Sequence, residues 1–212
     1  MPDPNPDFLY LDDTLLVVDK PSGLLAVPGR GEQGLDNQAA RVQAGWPDAL
    51  VVHRLDMSTS GLMLFARGKA AQRRLSHAFA QREVHKQYVA VVDGLVAADA
   101  GEIDLPLLAD WPNRPKQKID FSDGKPALTR WRVLERDAAA RTTRLALEPV
   151  TGRSHQLRVH LLAIGHAIVG DALYAPAEAL AKAPRLLLHA QSLRLPHPVD
   201  GRELRFHSPA PF

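Results

Sequence analysis

VVHRLDMSTSGLML, Val51 to Leu64, places a short polar segment between two apolar runs. Leu50 to Val52 and Leu62 to Phe65 read as strands, bounded by turn-forming residues. The segment between them carries His53, Arg54, Asp56, Ser58, Thr59, Ser60 and Gly61. Arg54 and Asp56 are two apart, so in extended chain they point to the same side. Such a pair serves either as a structural ion pair or as part of a reactive site. The hydroxyl residues bear on that choice. They can bond the backbone and fix the carboxylate in a tight turn, as a nucleophile or base requires.

Outward from this loop the pattern is strand-rich. Leu15 to Val18 is β-prone, Pro21-Ser22-Gly23 is a turn, and Leu24 to Val27 reads as a resumed extended run. Leu35 to Trp46 suits a short helix ending before Pro47. Lys69 to Val84 is the clearest helix, with Leu75, Ala78 and Phe79 on one face. Tyr88 to Val92 reads as a strand. Gly101 to Lys125 is Pro-rich and reads as irregular. Leu128 to Leu134 and Arg144 to Val150 alternate as strands. Ser154 is placed to cap a helix with Leu157, Leu161 and Ile164 on its apolar side and Gly165 at its end. Leu186 to His189, Ser192 to Leu195 and Glu203 to Phe206 close the series. Strands with a few interspersed helices imply an α+β fold: a mixed, mostly antiparallel central sheet flanked by helices.

The chain has 212 residues, enough for one sizeable core. Residues 1–7, MPDPNPD, read as a flexible arm and 8–212 as one folded domain. No apolar run is long enough for a membrane-spanning helix. There is no cysteine, which excludes disulfides and thiolate metal sites and suits a reducing cytoplasm. The net charge of +2 is too small to imply a nucleic-acid partner by itself, so the placement of charge matters more.

Three further clusters stand out. TGRSHQLRVHLLAIGH, Thr151 to His166, crowds Arg153, His155, Arg158 and His160 around a helix start. Cations there oppose the macrodipole, so the cluster is either a solvated basic face or a docking point for an anion. A metal site is not expected, because the two histidines are five apart and no carboxylate completes a ligand set. In HKQYVAVVDG, Lys86 and Tyr88 share one strand face, where a tyrosine serves core packing or stacks on a planar base. In DWPNRPKQK, Arg114, Lys116 and Lys118 alternate near Trp111. That strip suits a phosphate backbone or an edge that discourages sheet pairing. Lys20-Pro21-Ser22-Gly23 reads as a turn and His189 as a core histidine.

Taken in order, DKPSGL (Asp19 to Leu24), HRLDMSTSGLML (His53 to Leu64), KQYVAVVDG (Lys86 to Gly94), TGRSHQLRVHLLAIGH, VGDALY (Val169 to Tyr174) and LLLHAQSLRLPHP (Leu186 to Pro198) resemble the RluA-type pseudouridine synthases. One departure is Ala167, where the family pattern has proline. The resemblance implies the pseudouridine synthase fold and an isomerase without cofactor or metal. It implies Asp56 as the catalytic aspartate, Arg158 as its arginine partner and Tyr88 as the residue packed on the target uracil. Arg54 would take the flipped base's place in the stack. The flanking cations His53, Arg114, Lys116, Lys118, Arg153 and His155 are expected to meet RNA. The absence of an S4 domain, with the 111–118 strip, suggests the members acting on both transfer RNA and large-subunit ribosomal RNA. No membrane or protein partner is implied, and a monomer suffices. Whether Asp56 attacks C1′ or removes the C2′ proton stays open. A member acting on one RNA class, a non-catalytic RNA-binding module and a glycosidic hydrolase are the rival readings.

Overall fold

The computed structural model describes residues 6–29, 31 and 34–212. Most of the expected arm, residues 1–5, lies outside the described residues, and the first strand already opens at Asp7. The chain gathers into two compact units. One comprises the residues up to Lys86 with Ala190–Pro211, and the other Gln87–His189 with Phe212.

The first unit contains β1 (Asp7–Leu11), β2 (Leu15–Lys20), α1 (Gln38–Gly45), β3 (Ala49–Val51), β4 (Ser60–Arg67) and α2 (Gly68–Ala80). To these it adds most of β11 (Leu188–Pro196), with β12 (Glu203–His207). β1 pairs with β2, and β2 and β3 pair with β4; β12 pairs with β11, all antiparallel. β2 and β4 are buried on both faces, which explains why LLVV and LMLFA are continuous apolar runs rather than alternations. One face packs Leu15, Val17, Leu62 and Leu64 against Leu75 and Ala78 of α2. The other packs Leu16, Val18, Met63 and Phe65 against Val42 of α1.

α2 ends earlier than the sequence pattern suggests. Arg82 adopts a left-handed conformation (φ 62°), and Glu83 N–H bonds the carbonyl of Ala78 at 2.9 Å. That is a Schellman closure built on arginine, so the usual glycine stop signal is missing. Leu24 to Val27, expected to be extended strand, forms only an isolated bridge from Leu25 to Asn37. Asn37 itself caps α1, its side chain accepting from Ala40 N–H at 2.9 Å.

The second unit contains β5 (His85–Asp93, from Gln87 onward), β6 (Ala100–Asp104), β7 (Leu107–Ala109), β8 (Gln117–Ile119), β9 (Leu128–Asp137), β10 (Thr142–Pro149), α3 (Gln156–Ala163) and α4 (Ala177–Ala181). Its antiparallel ladder runs β5–β10–β9–β6, and β7 pairs separately with β8. The supposedly irregular middle is thus three short strands. Ile103, Leu107 and Ile119 are the apolar residues that mark them, with Pro106, Pro112 and Pro115 between. So few apolar positions per strand leave no alternation to read. α4 was also not evident, and the two strands expected within 186–195 are one.

Helix α3 stops as expected. Gly165 sits at φ 86°, and His166 N–H reaches the carbonyl of Leu161 at 3.0 Å. Its start is different. His155, at φ 53°, precedes the helix without a side-chain cap, and Ser154 is exposed and does not cap. Gln156 takes over: its Oε1 accepts from Arg153 N–H (3.0 Å) and the Thr151 hydroxyl (2.7 Å). Ala167, the departure from the family pattern, is buried and accepts from Asp93 N–H at 2.8 Å, so the turn keeps its backbone anchor. Among the described residues no helix is long and apolar enough to cross a membrane.

Candidate active site

In the first unit the loop from Val52 to Thr59 carries Asp56 out of β3 and returns into β4. Leu55 is buried beneath it, while Arg54 is exposed and Asp56 is half-buried. A turn closes directly after the carboxylate, with Thr59 N–H donating to the Asp56 carbonyl at 3.1 Å. Thr59 and Ser60 are buried. Gly61 follows at φ 113°, and a Cβ there would fall 2.4 Å from the carbonyl oxygen of Ala190. Only glycine lets β4 approach that backbone.

The loop is clamped from a direction the sequence did not advertise. Lys20 is fully buried, and its ammonium donates to the carbonyls of Pro21 (2.8 Å), Leu24 (2.7 Å) and Met57 (3.1 Å). Gly23 N–H also reaches the Met57 carbonyl at 2.8 Å, and the Ser22 hydroxyl reaches Ser58 O at 2.7 Å. DKPSGL is therefore more than a turn: it is the bracket holding the chain on the C-terminal side of Asp56.

His53 lies in the wall of this loop. Its Nε2 accepts from Leu64 N–H at 2.8 Å and its ring stacks on Phe79 at 4.9 Å. Burial, reinforced by the charge of Lys86, pushes its pKa down to about 3. The ring is thus neutral near pH 7, and its Nε2 is occupied by the β4 backbone.

In the second unit, Tyr88 on β5 is half-buried. It pairs in register with Leu147 of β10 and packs on the cluster that includes Leu157 and Leu161 of α3. Arg158 is buried and makes a side-on, two-bond pair with Asp171: Nε to Oδ2 at 2.8 Å and NH2 to Oδ1 at 2.6 Å. Both side chains are nearly inaccessible, at 4% and 1%. At that depth an arginine needs a carboxylate, because an unpaired buried charge is strongly destabilising. Asp171 was present in VGDALY but carried no separate signal in the sequence.

The crowded helix start resolves into distinct environments. Arg153 is exposed, with Nε donating to Pro126 O at 3.1 Å. His155 Nδ1 meets the Tyr174 hydroxyl at 2.7 Å. His160 is fully buried, bonding Thr129 Oγ1 and Leu105 O at 3.0 Å each, and burial lowers its pKa despite the favourable Leu105 contact. The expected basic strip lies on and around β8. Arg114 stacks 3.2 Å from the centroid of exposed Trp111, and Lys116 is half-buried. Lys118 is exposed and paired with Asp120 at 2.9 Å, which also raises its pKa.

Residues 14–163 match the family described as RNA pseudouridylate synthase. The dual-specificity RNA pseudouridine synthase RluA of Escherichia coli K12 is 55% identical over 96% of this chain and 93% of its own length. The protein of the same description from Pasteurella multocida is 51% identical over 99% and 95%. Among solved structures, human RNA pseudouridylate synthase domain containing 1 superposes with a TM-score of 0.82 at 31% identity, covering 98% of this chain and 84% of that one.

Proposed function

Since the chain belongs to the RNA pseudouridylate synthase family, and is by that membership an isomerase, we propose that it converts specific uridines in both transfer RNA and 23S ribosomal RNA. The targets are stem-loops, the anticodon stem-loop in the first case. The relatives described as dual-specificity support the double target, at more than half identity over nearly the whole chain. The two units act together as one catalytic domain over 8–212, working as a monomer in the cytoplasm.

The reaction breaks the bond from uracil N1 to ribose C1′, turns the ring and joins C5 to C1′. C5 gives up its proton and N1 takes one up, so the product is an isomer and no oxidant or group donor is needed. A carboxylate is the group suited to a sugar carbon of cationic character. In this reading Asp56 supplies it, either attacking C1′ or removing the C2′ proton. Tyr88 stacks on the detached uracil, a contact of about 1–3 kcal/mol. Arg158 serves as the guanidinium partner of the reactive carboxylate. The target must leave its stack, which costs a few kcal/mol. Arg54, exposed two residues before Asp56, offers a planar cation for the vacancy. Arg114, Lys116, Lys118 and Arg153 face the phosphates.

The observation that carries this reading is the bracket on Asp56: a half-buried carboxylate on a loop fixed by Lys20, Ser22 and Gly23. Rigid placement of that kind is what a reacting group needs. Asp56→Asn tests it. Turnover of an unmodified transfer RNA transcript should vanish while its binding persists. Continued pseudouridine formation would remove Asp56 from the chemistry, and release of free uracil by the parent protein would mark a hydrolase.

A further inference from the structure

Arg158 does not stand alone in its pocket of the second unit. Asp171 holds the Nε–NH2 edge of its guanidinium side-on. The same carboxylate accepts from the backbone: Leu173 N–H at 2.9 Å and Tyr174 N–H at 3.2 Å, both on Oδ1. Asp171 is thus tied to a tight turn and cannot follow the arginine if it moves. The Tyr174 ring then lies 5.0 Å from the guanidinium carbon, within the range of a cation–π contact.

Tyr174 is fixed at its other end too. Gln117 N–H donates to the phenol oxygen at 2.7 Å, at the start of β8. The same hydroxyl lies 2.7 Å from His155 Nδ1, a hydrogen bond whose direction follows the imidazole tautomer. One ring therefore touches the arginine, the start of α3 and the hairpin whose flank bears Arg114, Lys116 and Lys118. Asp171 and Tyr174 both lie beyond residues 14–163, the part matched to the family.

We infer that Asp171 and Tyr174 are positioning residues for the isomerisation, acting through Arg158: Asp171 sets the plane of the guanidinium and Tyr174 sets its depth. The inference rests on the reading of Arg158 given above. A purely structural pair would stabilise the fold and leave the rate of each correctly folded molecule alone. A positioning pair changes that rate, because a shift of about 1 Å in a catalytic group costs up to about a hundredfold.

The test is single-turnover conversion, with saturating protein, of an unmodified transfer RNA transcript that the parent protein converts, alongside the Kd for that transcript. Tyr174→Phe keeps the ring and removes only the hydroxyl, so folding is spared. It should slow the chemical step roughly tenfold and leave Kd within about twofold. Asp171→Asn should slow it more. In an Arg158→Lys background, where there is no planar fork to orient, Tyr174→Phe should have little further effect. Parent-like turnover in Tyr174→Phe would overturn the inference. So would a loss confined to Kd, or an equal fold-loss in both backgrounds. If Arg158→Lys itself turns over at the parent rate, the fault lies with the role given to Arg158. An inactive Arg158→Lys beside a fully active Tyr174→Phe sinks the positioning claim alone.

Discussion

Lys20→Met puts the bracket around Asp56 to the test. Methionine nearly fills the volume of lysine's stem but has no donor. Three carbonyls, those of Pro21, Leu24 and Met57, lose the ammonium they now share at 2.7–3.1 Å. An orphaned buried acceptor costs about 1–3 kcal/mol. Two are left orphaned, those of Pro21 and Leu24, and at about 1.5 kcal/mol each they cost about 3 kcal/mol, with relief from burying a charge keeping the sum near that value. For a chain of this size, about 1 kcal/mol moves Tm by about 2–4 °C, so the variant should melt roughly 6–12 °C lower. The effect on function is separable from this loss. Met57 keeps its bond from Gly23 N–H, so the loop loosens without detaching. Turnover measured well below the melting range should fall at least tenfold, with RNA affinity little changed. Thermal melts followed by circular dichroism and single-turnover assays give both numbers. A variant that melts within 2 °C of the parent and turns over normally would show that the lysine does not hold the loop.

Asp56→Asn should lower turnover by at least about a thousandfold while the Kd for RNA changes only a few-fold, as read by filter binding. The pKa of His53 is held down to about 3 against an ordinary 6.5, so the unfolded chain takes up a proton that the folded chain refuses. Stability is then intact above pH 6.5 and declines as pH falls below it, by about 2 kcal/mol at pH 4.5 after allowing for partial access to water. His53→Gln should flatten that decline in urea titrations, and an unchanged slope would count against the assignment. Gly61→Ala forces a methyl group against the Ala190 backbone and strains a positive φ, so it should cost about 3 kcal/mol or more in urea unfolding. Changing Arg114, Lys116 and Lys118 to glutamine together should reduce the salt dependence of RNA binding by up to about three phosphates' worth, and an unaltered slope would place the strip away from the backbone.

Local signals carried much of the fold. β2 and β4 were legible because they are buried on both faces and so apolar throughout, and α3 because Gly165 ends it. What escaped depends on partners distant in sequence. β6 has one strongly apolar inward residue, Ile103, and exists because β9 supplies the ladder. Arg82 ends α2 in a conformation that sequence statistics reserve mainly for glycine. At the candidate site, the loop with Asp56 stands out in the sequence by its charges and hydroxyls between two apolar strands. Its clamp does not, because Lys20 looks like any surface lysine until its three carbonyls are in view. Likewise Arg158 reads as one more cation at a helix start. Its partner sits thirteen residues on, in a turn, where spacing rules for helices and strands say nothing.

The buried polar chain at the root of α3 has a consequence for charge. Gln156 Nε2 donates to Leu128 O and Thr129 Oγ1, His160 Nδ1 meets the Thr129 hydroxyl, and His160 Nε2 donates to Leu105 O, a carbonyl that can only accept. Burial lowers the pKa of this imidazole, which favours the ring with a single proton. A helix whose sequence shows two basic side chains, Arg158 and His160, therefore brings one positive charge into the interior. The single carboxylate of Asp171 is enough to balance it, and the guanidinium is spared a cationic neighbour two residues away.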